Sequence, residues 1–312
     1  GDAILLAEAN VAIDKIHDYF GHGDKMHMLF NFILNQHLFL ALARKEAAPL
    51  IEGLLKLPII PESCQWANFL RNHDEIDLGR LSESQLDEVL RAFGPQKNMQ
   101  LYGRGIRRRL APMLGGDLDR LKMAYSLLLS LPGTPVIRYG EEIGMGEDLS
   151  LKERDSIRTP MQWHAGVNGG FSSAPATKLF RPVISKGEFA YDRVNVAVER
   201  RDPNSLVNFI ERCIRMRKEC PEFGRGSWSI IETNQPSVFA HSLHAENGTV
   251  AALHNLSDQP CSIRMDVSSL GAQRLIEVLR SHEDLQVKDK TVSLRLRRYD
   301  YRWYRVVKKT DN

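Results

Sequence analysis

Short apolar runs and amphipathic stretches alternate through the first part of the chain. The apolar runs are typical of buried strands and cover residues 3–7, 26–32, 66–71 and 134–139. The stretches between them repeat apolar positions at helical spacing, which predicts helices over residues 13–20, 36–44, 47–55, 82–93 and 118–131. Strands that alternate with helices indicate a parallel sheet of the α/β class.

Three of these apolar runs stop at polar clusters that contain carboxylates. The clusters are Glu8-Ala9-Asn10, Asn72-His73-Asp74-Glu75 and Glu141-Glu142. In parallel α/β folds the carboxyl ends of the strands carry the binding and catalytic groups, so the pattern predicts a site at this edge of the sheet. For the cluster that begins at Asn72, an ordinary loop with a charged tip fits the pattern equally well.

The pattern changes in the second part of the chain. Residues 145–201 are rich in Gly, Pro and Ser and lack a clear period, and a loop of that length in a compact domain is usually functional. A helix is predicted after this loop, with Asp202 as its N-cap and Pro203 in its first turn. From about residue 224 apolar positions recur at every second residue, which is the spacing of strands. The turn signal Glu246-Asn247-Gly248 predicts a hairpin. Short strands at this spacing predict an antiparallel β-sandwich.

Composition narrows the classes of function. The 312 residues suffice for two domains, and no apolar run approaches the ~20 residues that a membrane span needs.

The net charge of +3 is too small to indicate a nucleic-acid partner, so the basic run at residues 104–109 is predicted to be a solvated helix face or a carboxylate clamp. The four cysteines have no metal-ligand spacing, which favours packed thiols and a cytoplasmic location. Neither nucleic acid nor membrane is expected as a partner.

Several motifs occur in the order and spacing of the α-amylase superfamily, which the chain resembles over nearly its whole length. The motifs are Ala7-Glu8-Ala9-Asn10, Phe69-Leu70-Arg71-Asn72-His73-Asp74-Glu75, Leu131-Pro132-Gly133-Thr134-Pro135-Val136, the segment from Tyr139-Gly140 to Gly144-Met145, and Arg158-Thr159-Pro160-Met161-Gln162-Trp163. Two further segments, at residues 107–112 and 223–227, resemble the trehalose synthase subfamily, the maltose α-D-glucosyltransferases. The ordered set favours that subfamily.

The resemblance implies an α/β fold in two domains. Residues 1–223 would form the C-terminal half of a (β/α)8 TIM barrel, with residues 145–201 as a long active-site loop. Residues 224–312 would form an all-β antiparallel sandwich. Family members carry four barrel strands before the one that ends at Glu8, so we expect the chain to be a segment of a longer enzyme. An open half barrel is expected to pair with an N-terminal half-barrel chain, to self-associate edge to edge or to rearrange.

The resemblance also assigns catalytic roles. Retaining glycosidic chemistry uses a nucleophile and an acid/base whose carboxyl groups are about 5 Å apart. Glu8 would be the acid/base, and Asp74 would be the transition-state carboxylate that binds the 2- and 3-hydroxyls of the sugar. The family's nucleophilic aspartate lies on the preceding strand, which would be upstream of Gly1. We therefore expect the isolated chain to have negligible activity, because losing one catalytic group typically costs several orders of magnitude.

Substrate-binding roles follow from the same motifs. His73 would donate a hydrogen bond to the sugar, and Arg158 would close over the second sugar and help to exclude water. Asn72 and Glu75 are further substrate-binding candidates. No metal or cofactor is expected in this chain, because the Ca²⁺ ligands usual in the family would also lie upstream of Gly1.

The expected function is the interconversion of maltose and trehalose, or of other α-glucosides, by retaining glucosyl transfer. Whether this chain by itself is an enzyme stays open. One alternative is a segment of a maltase or oligo-1,6-glucosidase, since those enzymes share the motif at residues 158–163. Another is a non-catalytic carbohydrate-binding or assembly subunit. Product analysis of the completed enzyme would separate the first two functions, and maltose binding without turnover would indicate the third.

Overall fold

The computed structural model describes residues 3–280 and 284–308. Residues 1–2, 281–283 and 309–312 lie outside this description and include the outer ends of both predicted domains. The α-helices are α1 (Ile16–Phe20), α2 (Phe32–Arg44), α3 (Ala48–Leu55), α4 (Glu83–Phe93), α5 (Leu110–Met113), α6 (Leu118–Ser130), α7 (Val196–Glu199), α8 (Leu206–Glu219) and α9 (Glu222–Arg225). Within the described residues, none of these helices is long and apolar enough to cross a membrane.

The strands are short in the first part of the chain and longer in the second. They are β1 (Leu6–Ala7), β2 (Met28–Phe30), β3 (Gln65–Phe69), β4 (Ile76–Asp77), β5 (Gln100–Leu101), β6 (Gly105–Ile106), β7 (Thr134–Val136), β8 (Ser227–Ile230), β9 (Val238–Ala245), β10 (Gly248–Asn255), β11 (Cys261–Asp266), β12 (Ala272–Glu277), β13 (Leu285–Gln286), β14 (Thr291–Leu296) and β15 (Tyr301–Lys308). Short 3₁₀ helices occur at Ile13–Lys15, Lys97–Met99, Glu141–Ile143, Glu153–Ile157, Val167–Gly170, Ala176–Lys178 and Ser268–Leu270.

The chain divides into two compact units that do not follow a single cut in the sequence. The first unit consists of Gly1–Phe69, Met123–Pro135 and Cys213–Asn312. The second consists of Leu70–Lys122 and Val136–Arg212. The predicted domain boundary between residues 223 and 224 stays a prediction.

The parallel sheet predicted from the sequence is present. Its order, β1-β2-β3-β7, follows the chain, and Met28 of β2 lies opposite Leu6 of β1 and Gln65 of β3 in parallel ladders. Helices occupy the connections between consecutive strands, which is the arrangement expected for half of a (β/α)8 barrel. The predicted strands at residues 3–7 and 134–139 are shortened to β1 and β7.

Polar side chains fix the starts of two helices. Asn31 precedes α2, and its Oδ1 accepts a hydrogen bond from the backbone N–H of Leu34 at 3.0 Å. Ser82 precedes α4, and its Oγ accepts from the N–H of Gln85 at 3.4 Å, while Gln85 Oε1 accepts from the N–H of Ser82 at 3.1 Å. This reciprocal pair satisfies backbone donors at the helix start and confirms the predicted helix beginning at Ser82.

The start of α8 differs from the prediction. The helix begins at Leu206 rather than directly after Asp202, and the backbone N–H of Asn208 donates to Ser205 Oγ at 3.4 Å. Asp202 instead accepts a hydrogen bond from the N–H of Asn204 at 2.8 Å, which forms a tight turn before the helix. An aspartate side chain can accept hydrogen bonds from the backbone N–H groups of a turn or of a helix start, and Asp202 accepts one within a turn.

The C-terminal strands form the predicted antiparallel sandwich. A six-stranded sheet has the order β13-β12-β15-β10-β9-β8, and β11 pairs with β14 in a second sheet. Both sheets bury apolar side chains in one core, with Leu253 from the large sheet and Ile263 and Val292 from the small one. β9 and β10 form the predicted hairpin, with Ala245 opposite Gly248 across the turn.

A buried polar network in the first unit joins α6 to the large sheet. Trp303 Nε1 donates to Ser126 Oγ at 3.0 Å, and Nε2 of His254 lies 3.0 Å from the same hydroxyl. Nε2 of His241 donates to the carbonyl oxygen of Ser130 at 2.9 Å. Burial lowers the pKa of His241 to about 4 and holds the pKa of His254 well below its ordinary value. α6 and the sheet therefore pack around two neutral imidazoles.

A buried arginine from α8 closes the C-terminal end of α6. Arg217 donates to the carbonyl oxygen of Leu129 at 2.6 Å, to that of Phe223 at 2.9 Å and to that of Gly133. The last carbonyls of a helix lack intrahelical donors, so this guanidinium supplies part of what the helix end needs. Its charge is buried, yet its donors are met by backbone oxygens.

We expect the chain to lose stability as the pH falls from about 6.5 toward about 4. In this range an unfolded histidine, with its ordinary pKa of about 6.5, binds a proton, whereas His241, with a pKa of about 4, stays neutral in the fold. The unfolded state then binds more protons, so the free energy of unfolding falls by about 1.4 kcal/mol per pH unit for each such histidine. Urea unfolding at several pH values measures this slope.

The matched control for this pH prediction is an exposed histidine. His241→Gln, which keeps a side-chain N–H donor, should reduce the slope by the contribution of one histidine. His164→Gln makes the same substitution at an exposed position and serves as the reference for it. Equal slopes in the two variants would contradict the interpretation.

β1 leaves an apolar segment at one edge of the parallel sheet. Ile4, Leu5 and Leu6 are 68%, 50% and 44% exposed, and exposed apolar edges are templates for pairing with another strand. We expect light scattering to show concentration-dependent association, and Leu6→Lys to shift the chain toward monomer because charge opposes edge pairing. Ile59→Lys, at an exposed position outside any strand, is the control. A monomer at every concentration would contradict this expectation.

Candidate active site

The predicted site residues follow the carboxyl ends of parallel strands. Glu8 comes directly after β1 and has an exposed side chain. Asn72, His73 and Asp74 follow β3 after two intervening residues. Because β1, β2 and β3 run parallel in one sheet, both chain segments leave the sheet at the same edge. Glu8 belongs to the first unit and the segment from Leu70 onward to the second.

In the second unit, two arginines hold the carboxylate of Asp74. Nη2 of Arg158 donates to Oδ1 of Asp74, and Nη1 of Arg154 lies 3.2 Å from Oδ2. Arg158 also donates through Nε to the carbonyl oxygen of His73 at 2.8 Å. Nε2 of His73 lies 3.7 Å from Oδ1 of Asp74. The structure therefore brings together three of the predicted site residues, and Asp74 keeps part of its side chain exposed.

The other two candidates, Asn72 and Glu75, bond to neighbours of this carboxylate. Oδ1 of Asn72 accepts a hydrogen bond from the backbone N–H of Asp74 at 3.0 Å. Glu75 is buried and accepts from Arg154 twice, from Nε at 2.6 Å and from Nη2 at 3.1 Å. This hydrogen bonding raises the pKa of Arg154. Both side chains therefore help to position Asp74 and its partner arginine.

The basic run at residues 104–109 forms a carboxylate clamp, and the alternative prediction of a solvated helix face is wrong. Nε of Arg108 donates to Glu147 at 2.7 Å, and Nη1 of Arg109 donates to Glu141 at 3.1 Å. Burial raises the pKa of Glu147, while the adjacent Arg108 opposes that shift. The arginines turn inward because buried carboxylates compensate part of their charge. The clamp ties the segment after β6 to the segment after β7.

The long loop at residues 145–201 helps to enclose a cavity in the second unit. The cavity has a volume of about 500 Å³, within the range of small-molecule sites. Its lining combines apolar side chains with two arginines and includes Tyr139, Trp163, Phe171, Phe180, Arg158 and Arg181. Because Arg158 borders the cavity and also bonds to Asp74, the two features form one continuous candidate site.

Two parts of this site have no clear signal in the sequence. Arg154 lies in a loop whose apolar positions show no regular spacing. The only sequence feature that points to Arg154 is its closeness to the motif that begins at Arg158. Among the aromatic residues of the lining, Tyr139 and Trp163 fall within the family motifs, whereas Phe171 and Phe180 lie in the long loop outside any motif. The expectation that this chain holds no metal or cofactor stays a prediction.

Comparison with known proteins agrees with this fold. Residues 2–226 match the family described as alpha amylase, catalytic domain, and residues 248–305 match the sucrose hydrolase-like C-terminal domain. The chain therefore belongs to the α-amylase catalytic-domain family, which confirms the predicted superfamily and fold class.

Within that family the chain is similar to trehalose synthases, as the sequence predicted. It is 41% identical over 255 residues to the trehalose synthase of Thermus thermophilus, an alignment that covers 81% of this chain and 26% of that protein. It is 35% identical over 310 residues to the trehalose synthase/amylase TreS of Mycobacterium tuberculosis (strain CDC 1551 / Oshkosh), covering 97% of this chain and 51% of that protein. The chain thus spans between a quarter and about half of the length of these relatives.

A solved structure supports the fold independently. The crystal structure of an α-amylase from H. orenii superposes with a TM-score of 0.70 at 20% identity and covers 97% of this chain and 53% of that chain. At this identity the likeness concerns the fold alone.

Proposed function

We propose that this chain is part of a retaining enzyme that interconverts maltose and trehalose by α-glucosyl transfer. The observation that carries the proposal is the carboxylate of Asp74, held by Arg154 and Arg158 beside His73 in a member of the α-amylase catalytic-domain family. The similarity to trehalose synthases supports this substrate pair. The activity is proposed for the whole enzyme, because the chain spans only part of the length of these relatives.

Glu8 and Asp74 take the two roles that the chain itself provides. Glu8 protonates the departing glycosidic oxygen and later removes the proton of the attacking hydroxyl. Asp74 accepts hydrogen bonds from the sugar and stabilises the developing oxocarbenium-like charge. The parallel pairing of β1, β2 and β3 supports these two roles, because Glu8 and Asp74 each follow the carboxyl end of a strand in the same sheet. No other acid of the chain can be assigned the nucleophile's role from the family motifs quoted above, so the proposal places that role on a residue outside these 312.

The cavity beside Arg158 accommodates the second glucose. Its aromatic side chains offer apolar surface to a sugar ring, and its arginines offer donors to hydroxyl groups. While water is kept out, the glucosyl–enzyme intermediate is attacked by the anomeric hydroxyl of the retained glucose instead of being hydrolysed. Maltose is converted into trehalose by this route.

A carbohydrate-binding subunit without activity of its own is the second candidate. The lack of a matching nucleophile in these residues favours it, and the sugar-binding groups would be the same. A maltase or oligo-1,6-glucosidase segment would use the same acids but release glucose to water. Its completed enzyme would form no trehalose from maltose.

We expect the 312-residue polypeptide alone to show negligible turnover of maltose, because removing one of several cooperating catalytic groups costs several orders of magnitude. The measurement is trehalose and glucose formation over time by the purified chain. An intact trehalose synthase assayed in parallel is the positive control. Turnover by the isolated chain within about tenfold of that control would contradict the proposal, since a missing nucleophile cannot be reconciled with such a small loss.

Maltose binding should depend on Asp74 even without turnover. Removing a charged acceptor from a sugar hydroxyl costs about 1.5–3 kcal/mol, so we expect Asp74→Ala to weaken binding roughly tenfold or more in isothermal titration calorimetry. Asp77→Ala is the matched control, because Asp77 is another aspartate of the second unit that pairs with an arginine, Arg104, at 3.2 Å. Equal effects of the two substitutions would refute a specific role for Asp74.

A further inference from the structure

The turn between β5 and β6 holds a tyrosine in a backbone conformation that suits it badly. Tyr102 has a φ of +55°, in the left-handed region that a bulky residue rarely adopts. Gly103 follows with a φ of +71°, and the N–H of Arg104 donates to the carbonyl oxygen of Leu101 at 3.3 Å to close the turn. Asparagine before glycine is the pair that tight turns of positive φ favour. The turn itself therefore gives no reason for a tyrosine, and strained residues of this kind cluster at functional sites.

A second residue with a left-handed backbone lies in contact with the first. Glu153 has a φ of +44°, and its Oε2 accepts a hydrogen bond from the Tyr102 hydroxyl at 3.4 Å, across 51 residues of chain. The next residue is Arg154, whose guanidinium carbon lies 5.7 Å from the centroid of the Tyr102 ring. Both strained residues therefore adjoin the arginine that reaches Asp74.

The orientation of Arg154 decides whether it reaches Asp74. Its Nε and Nη2 donate to Glu75, and its Nη1 lies 3.2 Å from Oδ2 of Asp74. The side chain of Arg154 is 36% exposed, so the pairing with Glu75 leaves part of the planar group open to solvent. An aromatic ring beside a guanidinium attracts it and limits its movement. The Tyr102 ring therefore restricts the rocking that would take Nη1 away from Asp74.

The same hairpin also packs against Glu75. Gly105 of β6 approaches Glu75 so closely that a Cβ at position 105 would lie 2.6 Å from the Cγ of Glu75. β4, which follows Glu75 directly, pairs with β6. The hairpin of β5 and β6 therefore supports Glu75 through its second strand and Arg154 through its turn.

We propose that Tyr102 is a positioning residue of the candidate active site, whose ring holds the Arg154 guanidinium where Nη1 faces Asp74. The residues that line the sugar cavity do not include Tyr102, so its effect is exerted through Arg154. The position of Arg154 is a property of the chain without any ligand. The consequence for maltose binding rests on the proposed function.

The first test is the crystal structure of Tyr102→Asn compared with that of the unmodified chain. Asparagine tolerates the left-handed backbone, so the turn should be kept while the ring is lost. We expect Nη1 of Arg154 to leave hydrogen-bonding distance of Asp74 in this variant and to stay in place in Tyr102→Phe, which keeps the ring. An unmoved Arg154 in Tyr102→Asn would overturn the proposal, because Glu75 would then suffice. Release in both variants would overturn the role of the ring.

Maltose affinity and Tm separate positioning from general support of the fold. A partly exposed cation–aromatic contact corresponds to about two- to fivefold in an equilibrium constant. We therefore expect Tyr102→Asn to weaken maltose binding by about this factor in isothermal titration calorimetry, and Tyr102→Phe to restore it. Tm should change little in Tyr102→Asn, because asparagine relieves the strained backbone as the contact is lost.

Lys290→Asn is the matched control. Lys290 is an exposed residue of the first unit with a φ of +61°, and its replacement should leave maltose binding unchanged. A loss of affinity in Tyr102→Asn no larger than in Lys290→Asn, while Asp74→Ala still weakens binding, would overturn the positioning role. If Asp74→Ala has no effect either, the proposed function fails, and the position of Arg154 in the two crystal structures alone decides the inference.

Discussion

The carboxylate of Asp74 lies between the guanidinium groups of Arg154 and Arg158, and Arg158 comes 84 residues later in the chain. This contact fixes the loop after β3 against the long segment that follows β7. It fixes the position of the carboxylate while leaving part of it open to a ligand. The proposed chemistry depends on this, because a stabilising carboxylate has to be correctly placed while charge develops on the sugar.

Both units bury charged side chains, in different settings. In the first unit the sandwich buries a continuous apolar core, Arg217 donates to backbone oxygens, and Arg302 pairs with the buried carboxylate of Asp300 at 2.7 Å. In the second unit buried arginines and glutamates form clamps such as Arg108 with Glu147. Buried ion pairs contribute little net stability compared with apolar packing, but breaking one is costly. The clamps of the second unit therefore serve mainly to position the segments that they connect.

Local sequence patterns were sufficient to predict the structure where it depends on one interaction between residues close together in the chain. The capping pair of Ser82 and Gln85 and the hairpin turn at residues 246–248 could be predicted, because their partners lie a few residues apart. The start of α8 could not, since Asp202 satisfies either a turn or a helix end, and the choice depends on its surroundings. The motif at residues 69–75 indicated Asp74, and its parallel-strand position followed from the alternation of strands and helices.

The charged interior was harder to predict than the strands. Arg71 ends one apolar run and Arg138 lies next to last in another. Such a run predicts a strand without revealing which partner its arginine will meet. Arg154 meets Asp74 and Glu75 from a distance of about 80 residues, across a loop that has no period. Contacts between segments so far apart depend on the tertiary fold. The ordered family motifs, rather than periodicity, supplied the link between these segments and sugar chemistry.

The most direct test of this account is a crystal structure of the chain soaked with maltose. The account predicts one glucose ring whose hydroxyls contact the carboxylate of Asp74, with Glu8 within reach of the glycosidic oxygen and the second glucose in the cavity lined by Trp163 and Phe180. Maltose bound at a place that touches neither carboxylate, with both acids left facing solvent, would contradict it.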